Sequence, residues 1–120
     1  AAVKKRRNMK TGEKYGLPIQ VVEQLKHVFR SEPRISKVIL FGSRAKGNYR
    51  NGSDIDLCIE ANALTLFDLL KLSDAIEELY LPWKVDLVLM HTIDNPELLK
   101  YIQRVGLEFF SSVDETDDTL

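Results

Sequence analysis

The sequence predicts an α/β domain in which a small mixed β-sheet is flanked by helices, and three observations carry that prediction. Apolar residues at three- and four-residue steps alternate along the chain with short apolar runs, so helices alternate with strands. The first two runs, residues 38–41 and 54–60, are too closely joined for a crossover helix and should pair antiparallel. The second and third, residues 54–60 and 84–90, are separated by a helical stretch, which calls for a parallel pair and hence a mixed sheet. At 120 residues the chain has room for one such domain and a modest core, but not for a second recognition domain.

Residues 1–16 read as a disordered basic tail, with Lys4, Lys5, Arg6, Arg7 and Lys10 crowded into the first ten positions. Met9 reads as a natural start, which would make residues 1–8 an upstream extension. The domain proper spans residues 17–110. Pro18 suits the first turn of a helix, where its missing N–H is harmless. Ile19, Val22, Leu25, Val28 and Phe29 then mark one helical face, and Pro33 stops the helix near Ser31. His27 falls off that face and reads as a surface residue.

Val38, Ile39, Leu40 and Phe41 form a buried strand that Gly42 closes. Gly47, Asn48, Asn51 and Gly52 punctuate residues 43–53 as a loop with one helical turn. The next strand alternates Ile55, Leu57 and Ile59 with Asp54, Asp56 and Cys58. Thr65 or Asn62 caps a helix over residues 65–80, whose apolar face is Leu66, Leu69, Leu70, Leu72, Ile76, Leu79 and Tyr80. Pro82 ends it before the third strand. Asn95, Pro96 and Glu97 open a last helix with Leu98, Leu99, Ile102 and Val105 inside. Gly106 ends that helix, and residues 107–110 add a short extended segment. Residues 111–120 read as an acidic tail, with Asp114, Glu115, Asp117 and Asp118.

Composition excludes several classes. Net charge is −1, so there is no overall basic field to draw nucleic acid. Cys58 is the only cysteine and lies in an apolar strand, so it is a small buried hydrophobe and forms no internal disulfide. No run approaches the roughly 20 apolar residues of a membrane span, and no apolar signal core opens the chain. A cytoplasmic location is the expectation.

The chemistry is concentrated in one segment. Gly42-Ser43 follows an apolar strand directly; ten residues later Asp54-x-Asp56 opens the next strand; thirty residues after Asp56, Asp86 lies inside the third. Two carboxylates at alternate positions of a strand project from one side and repel unless a cation lies between them. Asp86, on a directly paired strand, would stand about 4.8 Å away. Three carboxylates so placed can hold two Mg²⁺ ions about 3.5–4 Å apart, the arrangement suited to in-line phosphoryl displacement. Gly42 lets backbone approach phosphate, Ser43 adds its N–H and hydroxyl, and Arg44 and Lys46 bring positive charge to the same loop. Calcium-loop ligand spacing, a P-loop and a G-x-G-x-x-G fingerprint are all missing.

Gly-Ser, ten residues, then Asp-x-Asp is the hallmark of the DNA polymerase β superfamily. Gly42, Ser43, Asp54 and Asp56 match it one for one, and Asp86 matches the third acidic position. The chain therefore resembles a minimal nucleotidyltransferase, and being so short it is most similar to the MNT-type, kanamycin nucleotidyltransferase-like members. The resemblance covers residues 18 to about 110. It implies the nucleotidyltransferase (polymerase β palm-like) fold, a nucleoside triphosphate donor (ATP is the expectation), and Mg²⁺. The implied reaction moves a nucleoside monophosphate to an acceptor hydroxyl and releases pyrophosphate. Members often carry Gly-Ser-Arg-Ala-Arg-Gly; Lys46 replaces the second Arg, keeping the charge but losing the bidentate fork.

No stretch reads as an acceptor-binding domain. The resemblance implies a separately encoded helical HEPN-type partner, in a toxin–antitoxin pair where the nucleotidyltransferase adenylylates a partner tyrosine. Tyr80, Leu81, Trp83, Phe109 and Phe110 are core or interface residues, Trp83 being the best interface candidate. His91 reads as a surface-loop residue. The alternatives are a non-catalytic nucleotide-binding antitoxin that acts by masking its partner, and a nucleotide sensor without turnover. The base and the acceptor are not legible.

Overall fold

The computed structural model describes residues 13–113. Two short strands, β1 (Glu13–Lys14) and β2 (Leu17–Pro18), form an antiparallel hairpin. Helix α1 (Ile19–Arg30) follows directly. Strand β3 (Lys37–Phe41) leads through Gly42 into a single helical turn, α2 (Ser43–Lys46). Then come β4 (Ile55–Glu60), α3 (Leu66–Glu77), β5 (Val85–Leu89), a 3-10 turn (Met90–Thr92), α4 (Pro96–Val105) and β6 (Leu107–Ser111).

The four-stranded sheet has the order β5-β4-β3-β6. As expected from the connections, β3 pairs antiparallel with β4, and β4 pairs parallel with β5 through the α3 crossover. β6 adds antiparallel to the other edge of β3, with its register shifted between Val38 and Ile39.

Strand alternation divides the sheet into two faces. Val38, Leu40, Ile55, Leu57 and Ile59 are fully buried on the face covered by α1 and α3. Each such aliphatic side chain contributes about 1.5–3 kcal/mol on burial. Phe29 and Phe109 meet edge-on in this core, with centroids 6.3 Å apart, so Phe109 and Phe110 are core residues. On the other face α4 packs against β3, and Gly106 passes so close to Ile39 that a Cβ would overlap it. Cys58 and Ile102 are buried on this smaller side.

The caps match the chemistry of the chain. Thr65 and Asp68 form a reciprocal capping box: Thr65 Oγ1 accepts from the Asp68 N–H at 3.2 Å, and Asp68 Oδ2 accepts from the Thr65 N–H at 2.9 Å. Asn95 Oδ1 accepts from the Glu97 N–H at 2.9 Å, with Pro96 opening α4.

The structure corrects several expectations. Residues 13–16, expected in the N-terminal tail, belong to the hairpin; Tyr15 packs its ring on Phe109 at 5.7 Å, and burial raises its phenol pKa. Val21 joins the buried face of α1, while Ile19, in its first turn, stays 36% exposed. Helix α3 ends at Glu77, three residues early, because the chain turns at Tyr80 with φ of 54°. Its face is also narrower than its apolar content: Leu72 and Ile76 are buried, whereas Leu66, Phe67 and Leu70 lie 62–65% exposed. Ser111, expected in the acidic tail, completes β6. Asp114, Glu115, Asp117 and Asp118, like the basic cluster from Lys4 to Lys10, lie outside the described residues. Among the described residues no helix is long and apolar enough to cross a membrane.

Candidate active site

Three strand ends converge at one corner of the sheet. Phe41, the last residue of β3, is paired with Asp56 in β4, and Asp56 is paired with Asp86 in β5. Gly42 therefore arrives beside the Asp56 carboxylate. It is in a backbone conformation (φ 75°, ψ −158°) that is essentially confined to glycine, and a Cβ there would overlap Asp56 Oδ2. The residue type is thus required twice, once by the turn and once by the carboxylate it abuts. Ser43 and Arg44 open the helical turn that follows, so their N–H groups have no carbonyl four residues back to bond.

The electrostatics show two acids crowded together. The Asp56 pKa is raised, first by burial, then by the charges of Asp86 and Asp54 and by a hydrogen bond with Asp86; Lys84 opposes these effects. A raised carboxylate is what like charges produce when no cation separates them. Lys84 Nζ stands 3.6 Å from Asp86 Oδ1, an exposed pair that offsets little of the repulsion. The donor set is entirely carboxylate oxygen, the hard ligand type Mg²⁺ takes, and the pair is mutually repelling, so these residues fit a divalent cation.

The predicted site residues come together unequally. Asp56 and Asp86 meet, as the parallel register requires. Asp54 lies just before β4 and is exposed, close enough to raise Asp56 by its charge. Among the described residues no three His, Cys, Asp or Glu side chains are gathered as a ready-made metal cage. Gly42 and Ser43 border the acid pair, and Lys46 is exposed at the end of the helical turn. Arg44 departs from expectation: only 2% exposed, its guanidinium donates to backbone carbonyls, burial lowers its pKa, and it is not free to contact a phosphate. The reason is reach. Its side chain bends back under the loop instead of out along the turn.

Lys84 was missed in the sequence, although its position two residues before Asp86 on one strand face would have indicated it. His91 Nε2 lies 2.9 Å from the Leu64 carbonyl, remote from this corner in the β4–α3 connection, and His27 is exposed. Trp83 turns inward and donates to the Asn51 carbonyl at 2.7 Å. A groove of about 740 Å³ between the end of α3 and β5 is lined by Tyr80, Leu81, Trp83, Val85 and Leu87. Val85 and Leu87 alternate with Asp86, so this groove opens on the opposite face and contains none of the acid pair.

Comparison with known proteins identifies the family and the fold. The family described as Polymerase beta, Nucleotidyltransferase matches residues 23–115. A Methanocaldococcus jannaschii protein named protein adenylyltransferase is 30% identical over 87 residues, covering 70% of this chain and 86% of the relative. A second protein of that name from the same organism is 28% identical over 85 residues, with the same coverage. Among solved structures, a chain from a toxin–antitoxin complex with AMP-PNP superposes with a TM-score of 0.64 at 20% identity, over 80% of this chain and 77% of that one. A chain from the Shewanella oneidensis complex of tri-AMPylated HEPN toxin with MNT antitoxin gives 0.60 at 18% identity, over 82% and 76%. At these identities the solved structures establish the fold, and the family match extends over most of the chain. The chain belongs to the polymerase beta nucleotidyltransferase family and is a nucleotidyltransferase.

Proposed function

We propose that the chain transfers AMP from ATP to a hydroxyl of a separately encoded helical HEPN-type protein, as an MNT-type antitoxin in the cytoplasm. One observation carries this reading: the Gly42-Ser43 turn abuts Asp56, which pairs with Asp86, so a bend suited to phosphate and an acid pair suited to a cation share one corner. The relatives named protein adenylyltransferase support AMP as the transferred group and protein as the acceptor. The complex with AMP-PNP supports a nucleoside triphosphate, and the AMPylated HEPN toxin bound to MNT antitoxin supports the partner.

In this reading Asp56 and Asp86, completed by Asp54, hold Mg²⁺, expected as two ions, which would neutralise triphosphate charge and make the acceptor hydroxyl more acidic. Gly42 leaves room for the phosphates, Ser43 donates to their oxygens through its N–H and hydroxyl, and Lys46 supplies a mobile positive charge. The acceptor oxygen forms a bond to the α-phosphorus as the bond from that phosphorus to the bridging oxygen breaks. Pyrophosphate departs, and the hydroxyl proton passes to a carboxylate of the site. Leu66, Phe67 and Leu70, exposed side by side on α3, support a second chain as a working partner.

The test is incubation of the chain and a purified HEPN-type protein with α-labelled ATP and Mg²⁺. Label on the partner with stoichiometric pyrophosphate is expected, and Asp56→Asn should lower the rate by more than about 100-fold, beyond what loss of a merely supporting group costs. Neutralisation of the partner by Asp56→Asn as complete as by the native chain would favour masking without catalysis. No label with any nucleotide would end the enzymatic reading for this partner.

A further inference from the structure

Arg44 and Ser111 are the buried polar or charged residues among those described. Arg44 makes no ion pair with a described carboxylate. Its guanidinium is instead enclosed by carbonyl oxygens: Tyr15 at 3.0 Å, Asn51 at 3.1 Å, Ser53 at 3.0 and 3.1 Å, and Arg50 at 3.4 Å. Two rings flank it, Tyr49 at 5.0 Å and Trp83 at 5.9 Å. The rings are themselves tied down. Trp83 Nε1 donates to the same Asn51 carbonyl, and the Tyr49 ring lies where a Cβ on Gly16 would be.

The partners define the role. Arg44 follows Ser43; Ser53 precedes Asp54; Trp83 lies three residues before Asp86. One side chain therefore links both ends of the ten-residue loop, the entrance to β5 and the N-terminal hairpin. Five donors in a rigid planar fork can serve so many acceptors at once, and a lysine ammonium, with three donors on a flexible stem, cannot. A buried cation that lost these carbonyls would pay heavily in desolvation, so the loop and the guanidinium order each other.

We propose that Arg44 is a positioning residue for nucleotidyl transfer, closing the loop so that Ser43 and Asp54 are presented in fixed register without touching the triphosphate. This rests on the AMP-transfer reading above. A loop released from the clamp has to be reordered by the incoming nucleotide, so apparent affinity falls with the fraction of chains already ordered. Once nucleotide is bound the machinery is intact.

The experiment compares the full-length native chain with Arg44→Lys and Arg44→Gln by hydrogen exchange and by ATP kinetics in the label-transfer assay. Both variants should exchange at residues 47–53 at least about tenfold faster, while β3 and β4 keep their protection. The KM for ATP should rise about tenfold or more, with kcat changed less than about threefold. Emission from Trp83, the single tryptophan, should shift to the red in both. Should Arg44→Gln fail to fold, Trp83→Phe, which removes the donor to Asn51 and leaves a smaller ring beside the guanidinium, should move exchange and KM in the same direction by less. Lysine restoring loop protection and KM would overturn the proposal, because a point charge would then suffice. So would a fall in kcat with KM unchanged, or exchange rising equally in the core strands. A native chain that transfers no AMP would instead sink the function reading, and loop exchange alone would then decide about Arg44.

Discussion

The two sides of strand β4 (Ile55–Glu60) differ in burial and in chemistry. One side presents Ile55, Leu57 and Ile59, all fully buried under α1 and α3. The other presents Asp56, Cys58 and Glu60, of which only Cys58 is fully buried. Adjacent residues on a single strand thus serve opposite ends. The apolar side lowers the free energy of the folded chain, whereas the acidic side raises it by setting Asp56 against Asp86. The core is what allows the acid pair to persist, since a strand held by packing on one face tolerates repulsion on the other. This division also accounts for the Cys58 thiol, whose pKa burial pushes up to about 11: it sits on the functional side, yet it is inert packing.

Three substitutions would break or sharpen the contrast. The largest stability effect should come from the packed side: Leu57→Ala should cost roughly 2–5 kcal/mol in denaturant unfolding, since it opens a cavity in a fully buried site. A loss below about 1 kcal/mol would mean that this face does not carry the fold.

Gly42→Ala comes next and should register on both scales. The required backbone conformation and the overlap with Asp56 should destabilise by about 1–3 kcal/mol. AMP transfer should fall roughly 10–100-fold as the carboxylate is displaced. Full activity in the alanine protein would show that the turn need not abut the acid.

The smallest effect should have the opposite sign. The native state binds a proton at Asp56 more tightly than the unfolded chain does, because its folded pKa is raised. Its favourable contribution is complete below the unfolded carboxylate pKa of about 4 and is lost as pH rises through the native value. In chelator at pH 7, therefore, Asp56→Asn should melt higher than the native chain, and the difference should shrink as pH falls through the raised native value toward about 4. Added Mg²⁺ should raise the melting temperature of the native chain and not that of the variant. A variant less stable than native at pH 7 in chelator would assign Asp56 a structural role.

Much of this was legible along the chain because the governing interactions are local. Strand alternation put Ile55, Leu57 and Ile59 opposite Asp56 and Cys58; the Thr65–Asp68 and Asn95–Pro96 signals marked helix starts; connection length set antiparallel and then parallel pairing. These also foretold that Asp86 would stand beside Asp56. Where the reading fell short, the cause was long-range packing. Tyr15 is ordered by Phe109, ninety-four positions away in the sequence, so no nearby pattern reveals the hairpin. The apolar surplus of α3 could not be divided into covered and uncovered parts without seeing how few of its residues α1 and β5 reach.

Arg44 marks the boundary most sharply. Residue order supplied the bend, the spacing of the acids and the helical turn between them, because each depends on neighbours a few positions apart. It could not say which cation of that turn the fold would bury, since Arg44 and Lys46 are alike in charge and two residues apart. Folding settled the matter by bringing the carbonyls of Tyr15, Asn51 and Ser53 and the rings of Tyr49 and Trp83 around one guanidinium. A buried charge goes to the acceptors that can replace its water, and those acceptors exist in one place only after distant segments have met.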